Sequence, residues 1–249
     1  MSDRRIVTVT GSQALDFLQG LVTNDLRPLA QADGIRWCAL LTPQGKYLAD
    51  FFVVRSGGTL LLDLPGSLAD DTLRRLSMYR LRADVVLAPA EVCVTRGLSD
   101  PPPGALPDPR HPALGWRLYG PPRAEAPVDW DALRVEHLIP ETGIELVPND
   151  SFILELGFER LNGVDFRKGC YVGQEVTARM KHKTDLRKGL IRVRIDGEAA
   201  PGTPILTADG REAGRLHTRS GDRALAWLRF DRAGPGLTAG GARIEPDGG

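Results

Sequence analysis

The chain of 249 residues is 42% hydrophobic and 26% charged, and its 32 basic and 32 acidic side chains cancel. That composition supports a sizeable core, in one compact domain or in two or three small ones. Zero net charge excludes a global field that would draw the protein to nucleic acid or an anionic membrane, so electrostatic recognition must come from a local patch.

Three cysteines, at positions 38, 93 and 170, form no Cys-x-x-Cys and are odd in number, which argues against a disulfide framework or a self-contained zinc or iron–sulfur site. No apolar run approaches the ~20 residues of a membrane span, and the N-terminus lacks a signal-peptide core. The expectation is a soluble, cytoplasmic protein of a reducing compartment.

In chain order, "RIVTVT" predicts a strand. "GSQALDFLQGLVTND" predicts a helix with Ser12 as N-cap and Ala14, Leu15, Leu18 and Leu21 on one face; Asn24 and Asp25 end it as a cap or turn. "GIRWCALLTPQGKYLADFFVVR" predicts a hairpin turning at Thr42-Pro43-Gln44-Gly45, and "TLLLDL" a further strand. "GSLADDTLRRLSMYRL" predicts a helix with a capping pattern from Ser67 to Asp70 and periodic Leu68, Leu73 and Leu76. "ADVVLAP" and "EVCVTRGL" return to strands, giving a mixed α+β layer with helices on one face. Cys38 and Cys93 fall inside strand-like runs and read as buried.

Six prolines between Pro101 and Pro112 forbid helix and central strand, so this stretch reads as an extended linker or surface loop. "ALGWRLYG" predicts a strand, "VDWDALRVEHLI" a short helix with Leu133, His137 and Leu138 near one face, and "SFILELGFERL" an apolar segment for the core. From Gly189 onward, short alternating runs punctuated by Gly and Pro predict an all-β module, a small barrel or sandwich. The expected organisation is a mixed lobe over 1–100, a middle lobe over 113–188 and a barrel-like module over 189–249, with the first two free to interleave.

The stretch "FRKGCYVGQEVTARMKHK", Phe166 to Lys183, carries the chemistry. A thiol becomes reactive where a cation or a helix N-terminus stabilises its thiolate. Cys170 follows Arg167 and Lys168 and precedes a helix candidate whose buried stripe is Val172, Val176 and Met180. Gly169 and Gly173 permit unusual dihedrals or close approach of a ligand to the backbone. Gln174 and Glu175 put an amide and a carboxylate in the first turn, where Glu175 also suits the helix dipole. A lone cysteine is more often a small buried hydrophobe, but basic and glycine neighbours are poor core material, and this sets Cys170 apart.

Downstream, Arg179, Lys181, Lys183, Arg187 and Lys188 are opposed only by Asp185. The run suits a phosphate, a carboxylate-bearing tail or an RNA backbone, or is simply a solvated helix face. His182 lies too far from Cys170 for a Cys–His dyad, ~18 Å along a helix at 1.5 Å per residue.

"KGCYVGQE", Lys168 to Glu175, resembles the signature of the YgfZ-type folate-binding proteins, iron–sulfur cluster assembly factors related to the glycine cleavage T-protein, an aminomethyltransferase. "ALDFLQGLVTNDL", "LLTPQGKYLADFFVV", "DPRHPALGWRLY", "LRVEHLIPETGIELVPND" and "AGRLHT" with "ALAWLR" extend the likeness over nearly the whole chain. The resemblance implies an α+β, three-lobed fold around a central opening, with a small C-terminal β-barrel. Tetrahydrofolate, as the monoglutamate or a polyglutamate, would sit in the opening, with the basic run along its tail.

Cys170 is then the functional thiol, and Lys168, Gly169, Tyr171, Gly173, Gln174, Glu175 and Arg179 are the expected folate contacts. Arg134 and Glu136 match an Arg-x-Glu of the middle helix. Their spacing of two points them apart toward separate partners, and Arg134 joins the expected folate contacts. Asp50 aligns with an acidic position of the T-protein block; its partner there is replaced by Ala49, and Asp50 reads equally well as a solvent-facing hairpin charge. The implied function is a folate-binding accessory factor for assembly or repair of iron–sulfur clusters in client proteins, indirectly supporting tRNA modification. The alternatives are a folate-dependent aminomethyl transferase and a tRNA-binding protein, with direct nucleic-acid contact the least expected.

Overall fold

An alternating first strand and near-continuous apolar runs build the first sheet, whose central strands are buried on both faces; the computed structural model describes residues 3–183 and 185–247. β1 (Arg4–Thr10) leads through a short α1 (Ala14–Gln19) to the hairpin β2 (Gly34–Leu41) and β3 (Tyr47–Ser56), then β4 (Thr59–Pro65), α2 (Gly66–Arg80) and β5 (Val86–Pro89). The five strands pair antiparallel in the order β2-β3-β4-β1-β5. One face carries Val7, Val9, Cys38, Leu40, Phe51, Val53, Leu62 and Leu64, which form one core with Ala14 and Leu18 of α1 and Ala69 and Leu76 of α2.

The opposite face holds Trp37, Asp50, Phe52 and Asp63, all buried. β6 (Cys93–Gly97), β7 (Leu106–Pro107) and β8 (Trp116–Gly120) form a second sheet in the order β6-β8-β7. Arg117 and Tyr119 of β8 both reach Asp63 Oδ2, at 2.6 and 2.8 Å, and Arg4 donates to Oδ1 at 2.6 Å. Burial alone would raise the Asp63 carboxyl, but the Arg4 and Arg117 guanidiniums outweigh it and hold the pKa at about 2. Phe52 lies beneath the Arg117 and Arg110 guanidiniums, 4.1 and 5.0 Å from its ring centroid.

Later in the chain come α3 (Trp130–His137), α4 (Gln174–Lys183) and the strands β9 (Lys188–Asp196), β10 (Pro204–Leu206), β11 (Glu212–Ser220), β12 (Arg223–Arg229), β13 (Leu237–Ala239) and β14 (Ala242–Pro246). These six strands close into a barrel, β10-β11-β12-β9-β14-β13, filled by Val193, Ile195, Leu216, Leu228 and Ile244 among others. The chain divides into two interleaved units. The first comprises 1–128, 148–150 and 159–178; the second comprises 129–147, 151–158 and 179–249.

Several local expectations are corrected. α1 has Gln13 as N-cap with no side-chain cap. Ser12 instead engages Asp84, through its amide at 2.9 Å and its hydroxyl at 2.8 Å. α2 starts at Gly66, with Pro65 in the cap position, so Ser67 lies inside the first turn. The proline-rich stretch is no free linker: Leu106 and Pro107 pair with β8, and Asp108 and Arg110 are buried as an ion pair. Pro107 is tolerated because β7 is an edge strand. α3 buries Arg134 and Val135 rather than a Leu133–His137–Leu138 stripe. Cys93, the first residue of β6, is exposed, while Cys38 is buried.

Candidate functional site

The signature loop is built around the end of α1. In "LVTND", the side chains that follow the helix turn toward residues far downstream instead of capping it. Asn24 Nδ2 donates to the Asn162 carbonyl at 2.6 Å and Thr23 Oγ1 to that of Gly163 at 2.6 Å; the Asp165 amide returns a bond to the Thr23 carbonyl at 3.0 Å. The same Thr23 hydroxyl accepts from the Ala39 amide at 2.8 Å, and Asn24 also reaches the Trp37 carbonyl at 2.8 Å, so the clamp is fastened to β2. Sequence reasoning passed over Thr23 and read Asn24 as a local cap. The available signal was a run of short polar side chains directly after an apolar helix face, a pattern that side chain-to-backbone bonding favours.

Lys168 comes next, its ammonium turned into the protein. The side chain is 5% exposed, and Nζ donates to the Gln19 and Val22 carbonyls at 2.5 Å each. Burial brings its pKa down to about 8. Two of its three donors are committed to protein carbonyls, so the folate contact expected of it would have to use the third. Tyr171 is also buried, its hydroxyl pKa pushed up to about 12 by burial.

Gly173 closes the loop on its other side. A Cβ there would stand 2.6 Å from the Thr42 carbonyl oxygen, so the loop packs directly on the β2–β3 turn. Gly45 of that turn in turn approaches Val176 on α4. Between these contacts Gly169, at φ +99°, and Cys170 are exposed. The signature thus holds one thiol out from a loop clamped on both sides.

The remaining expected residues divide. Gln174 and Glu175 open α4, Glu175 exposed in its first turn, and Arg179 is exposed one turn later. Lys181 and Arg187 are exposed; Lys188 is half-buried, its ammonium 4.6 Å from the Trp227 ring centroid and 3.6 Å from Glu155; the Lys183 side chain lies outside the described residues.

Arg134 is buried with its donors committed: Nη2 to Glu145 at 2.5 Å and Thr218 at 3.0 Å, Nη1 to Asp131 at 2.7 Å, Nε to the Ile139 carbonyl at 3.2 Å. These partners all lie within the protein, and the folate contact expected of Arg134 draws no support from them. Glu136 pairs separately with Arg192 and Arg223, as the spacing of two requires. Asp50 is no solvent-facing charge: it is 5% exposed, accepting from Trp37 Nε1 at 2.8 Å and the Tyr47 hydroxyl at 2.7 Å. Among the described residues no group of three or more His, Cys, Asp or Glu side chains is arranged to hold a metal ion.

Residues 187–248 match the family described as CAF17, C-terminal beta-barrel domain. The chain is 32% identical to the mitochondrial iron-sulfur cluster assembly factor IBA57 of Mus musculus, across 93% of this chain and 77% of the relative. It is 30% identical to the Homo sapiens protein of the same name, across 92% and 76%. The chain belongs to the IBA57 family of iron–sulfur cluster assembly factors.

This agrees with the broad family that the signature resembles, under the IBA57 name rather than the YgfZ-type label. The crystal structure of glycine cleavage system aminomethyltransferase T from Bartonella henselae superposes with a TM-score of 0.75 over 98% of this chain and 82% of that one, at 14% identity. The chain therefore has the aminomethyltransferase T fold with a C-terminal barrel. The IBA57 relatives are mitochondrial by name, which overturns the cytoplasmic expectation. Cysteine usage had no power to separate the two places, since the cytosol and the mitochondrial matrix are both reducing.

Proposed function

We propose that this chain acts in iron–sulfur cluster assembly by offering Cys170 as a thiolate to a cluster or persulfide carried by a partner protein, and that it binds tetrahydrofolate. The observation that carries the reading is the exposed Cys170 held between buried contacts of its own loop. Common iron–sulfur clusters take about four cysteine thiolates. A single cysteine supplies one share of such a set, and the other ligands come from the partner, an assembly or client protein. The names of the IBA57 relatives support that class of partner.

In cells lacking the native copy, Cys170→Ser is expected to accumulate as folded protein with unchanged Tm. Activity of cluster-dependent enzymes should fall to near that of cells with no copy. Full restoration by the serine variant would remove the thiol from the mechanism.

Folate fits the residues in part. Exposed Arg179 and Arg187 supply cations that suit a glutamate tail, whereas Lys168 and Arg134 donate to protein acceptors. Bound, tetrahydrofolate would bring one-carbon chemistry. The chain's own contribution would be to hold the tail's carboxylates by charge-assisted hydrogen bonds. One such added bond is worth about 1.5 kcal/mol, so by calorimetry the triglutamate should bind roughly tenfold tighter than the monoglutamate. Failure of both forms to bind would strip folate from the reading and leave the thiol. The aminomethyl-transferase alternative loses support at Asp50, whose two carboxylate oxygens already accept from Trp37 and Tyr47 inside the core.

A further inference from the structure

Two residues before the thiol stands a buried cation that the reading above leaves without a task. We propose that Lys168 is a positioning residue for Cys170: its ammonium fastens the presenting loop to the carbonyls at the end of α1 and does not serve as a charge partner of the thiolate or of a ligand. The functional consequence rests on the thiol reading above; the mechanical role stands without it.

A helix leaves its last carbonyls without intrahelical donors, and their partial negative charge suits a cation. Gln19 is the last residue of α1 and Val22 lies in the turn beyond it; Lys168 Nζ bonds both carbonyls at 2.5 Å. A lysine ammonium is compact, carries three donors and sits on a flexible stem, which suits convergent carbonyls better than a planar guanidinium would. The Tyr171 ring centroid is 5.2 Å from Nζ, so the buried aromatic next to the thiol packs against the same cation. On the far side Gly173 presses the chain against Thr42.

Gly169 and Cys170 are the exposed residues between these fixed points, and φ +99° at Gly169 lets the chain turn outward there. A loop ordered in advance loses little further freedom when a partner engages the thiol.

Lys168→Met keeps the stem and removes every donor. In the full-length variant, amide hydrogen exchange over 166–172 should become at least about tenfold faster, with exchange in the 189–246 barrel unchanged. The midpoint of the pH profile for Cys170 alkylation by iodoacetamide should stay where it is in the native chain. Native exchange rates over 166–172 would overturn the proposal, and so would a midpoint moved upward, because that would make Lys168 a charge on the thiol. If the variant fails to accumulate folded, the native chain supplies the test. Under reductive methylation Lys168 should react at most about a tenth as fast as exposed Lys181, and equal rates would overturn the anchor. Cys170→Ser separates the two readings: if it retains full assembly activity the thiol reading fails, while a loosened loop in Lys168→Met still establishes the anchor.

Discussion

Gly169 and Gly173 flank the same thiol and serve different physical ends. Both have positive φ, +99° and +84°. A Cβ on Gly169 would meet nothing within 4 Å, whereas one on Gly173 would stand 2.6 Å from the Thr42 oxygen and 3.0 Å from Leu41 Cβ. Gly169→Ala should therefore cost only the backbone term, about 1 kcal/mol. Gly173→Ala should add an overpacking cost of about 1–3 kcal/mol against main chain that cannot rotate away. Calorimetric Tm should fall in the order native, Gly169→Ala, Gly173→Ala; the reverse order would mean that the loop does not rest on the β2–β3 turn. The cysteines show what one position's neighbours reveal. Cys38 pairs with Phe51 between covered strands, and burial pushes its thiol up to about 12, in keeping with its strand context. Cys93 has the same kind of local context and is exposed, because the first residue of a strand can face outward where nothing packs over it.

At the scale of elements, Asp63 joins three strands: its own β4, β1 through Arg4, and β8 through Arg117. Removing one charge from such a buried set leaves guanidinium charge uncompensated, so Asp63→Asn should cost about 3 kcal/mol or more at neutral pH. The folded carboxyl sits at about 2 against an ordinary 3.8. Its stabilisation is therefore complete above about pH 4 and is lost as pH falls toward 2. In the native chain, denaturant midpoints should decline through that window, and in the Asn variant the decline should be shallower; parallel declines would show that other carboxylates control acid stability.

Strands, the hairpin turn and the barrel module were legible because their signals are local: alternation, a Pro-Gln-Gly turn, Gly and Pro punctuation. The Asp63 junction was not, because Arg117 lies 54 positions from Asp63 and no local pattern records that pairing. The helix starts were misread for a related reason. Ser12 has capping chemistry, but Asp84, 72 positions away, claims both its amide and its hydroxyl.

Across the whole molecule, the signature singles out one exposed position but does not reveal how its other members are used. "KGCYVGQE" set Cys170 apart from core cysteines, and that side chain is exposed, yet the same string holds two buried side chains, Lys168 and Tyr171. Lys168 finds its carbonyl partners 149 and 146 positions earlier in the chain. That separation gives the site a history in time. During synthesis, which releases the N-terminal part first, the strands β1 to β8 can emerge and pair while the signature has yet to be made. Contacts of such span close slowly, because a long loop must be ordered before they form. A nascent or truncated chain ending before the signature thus carries much of the first unit's two sheets but none of its presented thiol. The loop that presents Cys170 is completed late in the chain's own production, when a lysine from its second half reaches the end of its first helix.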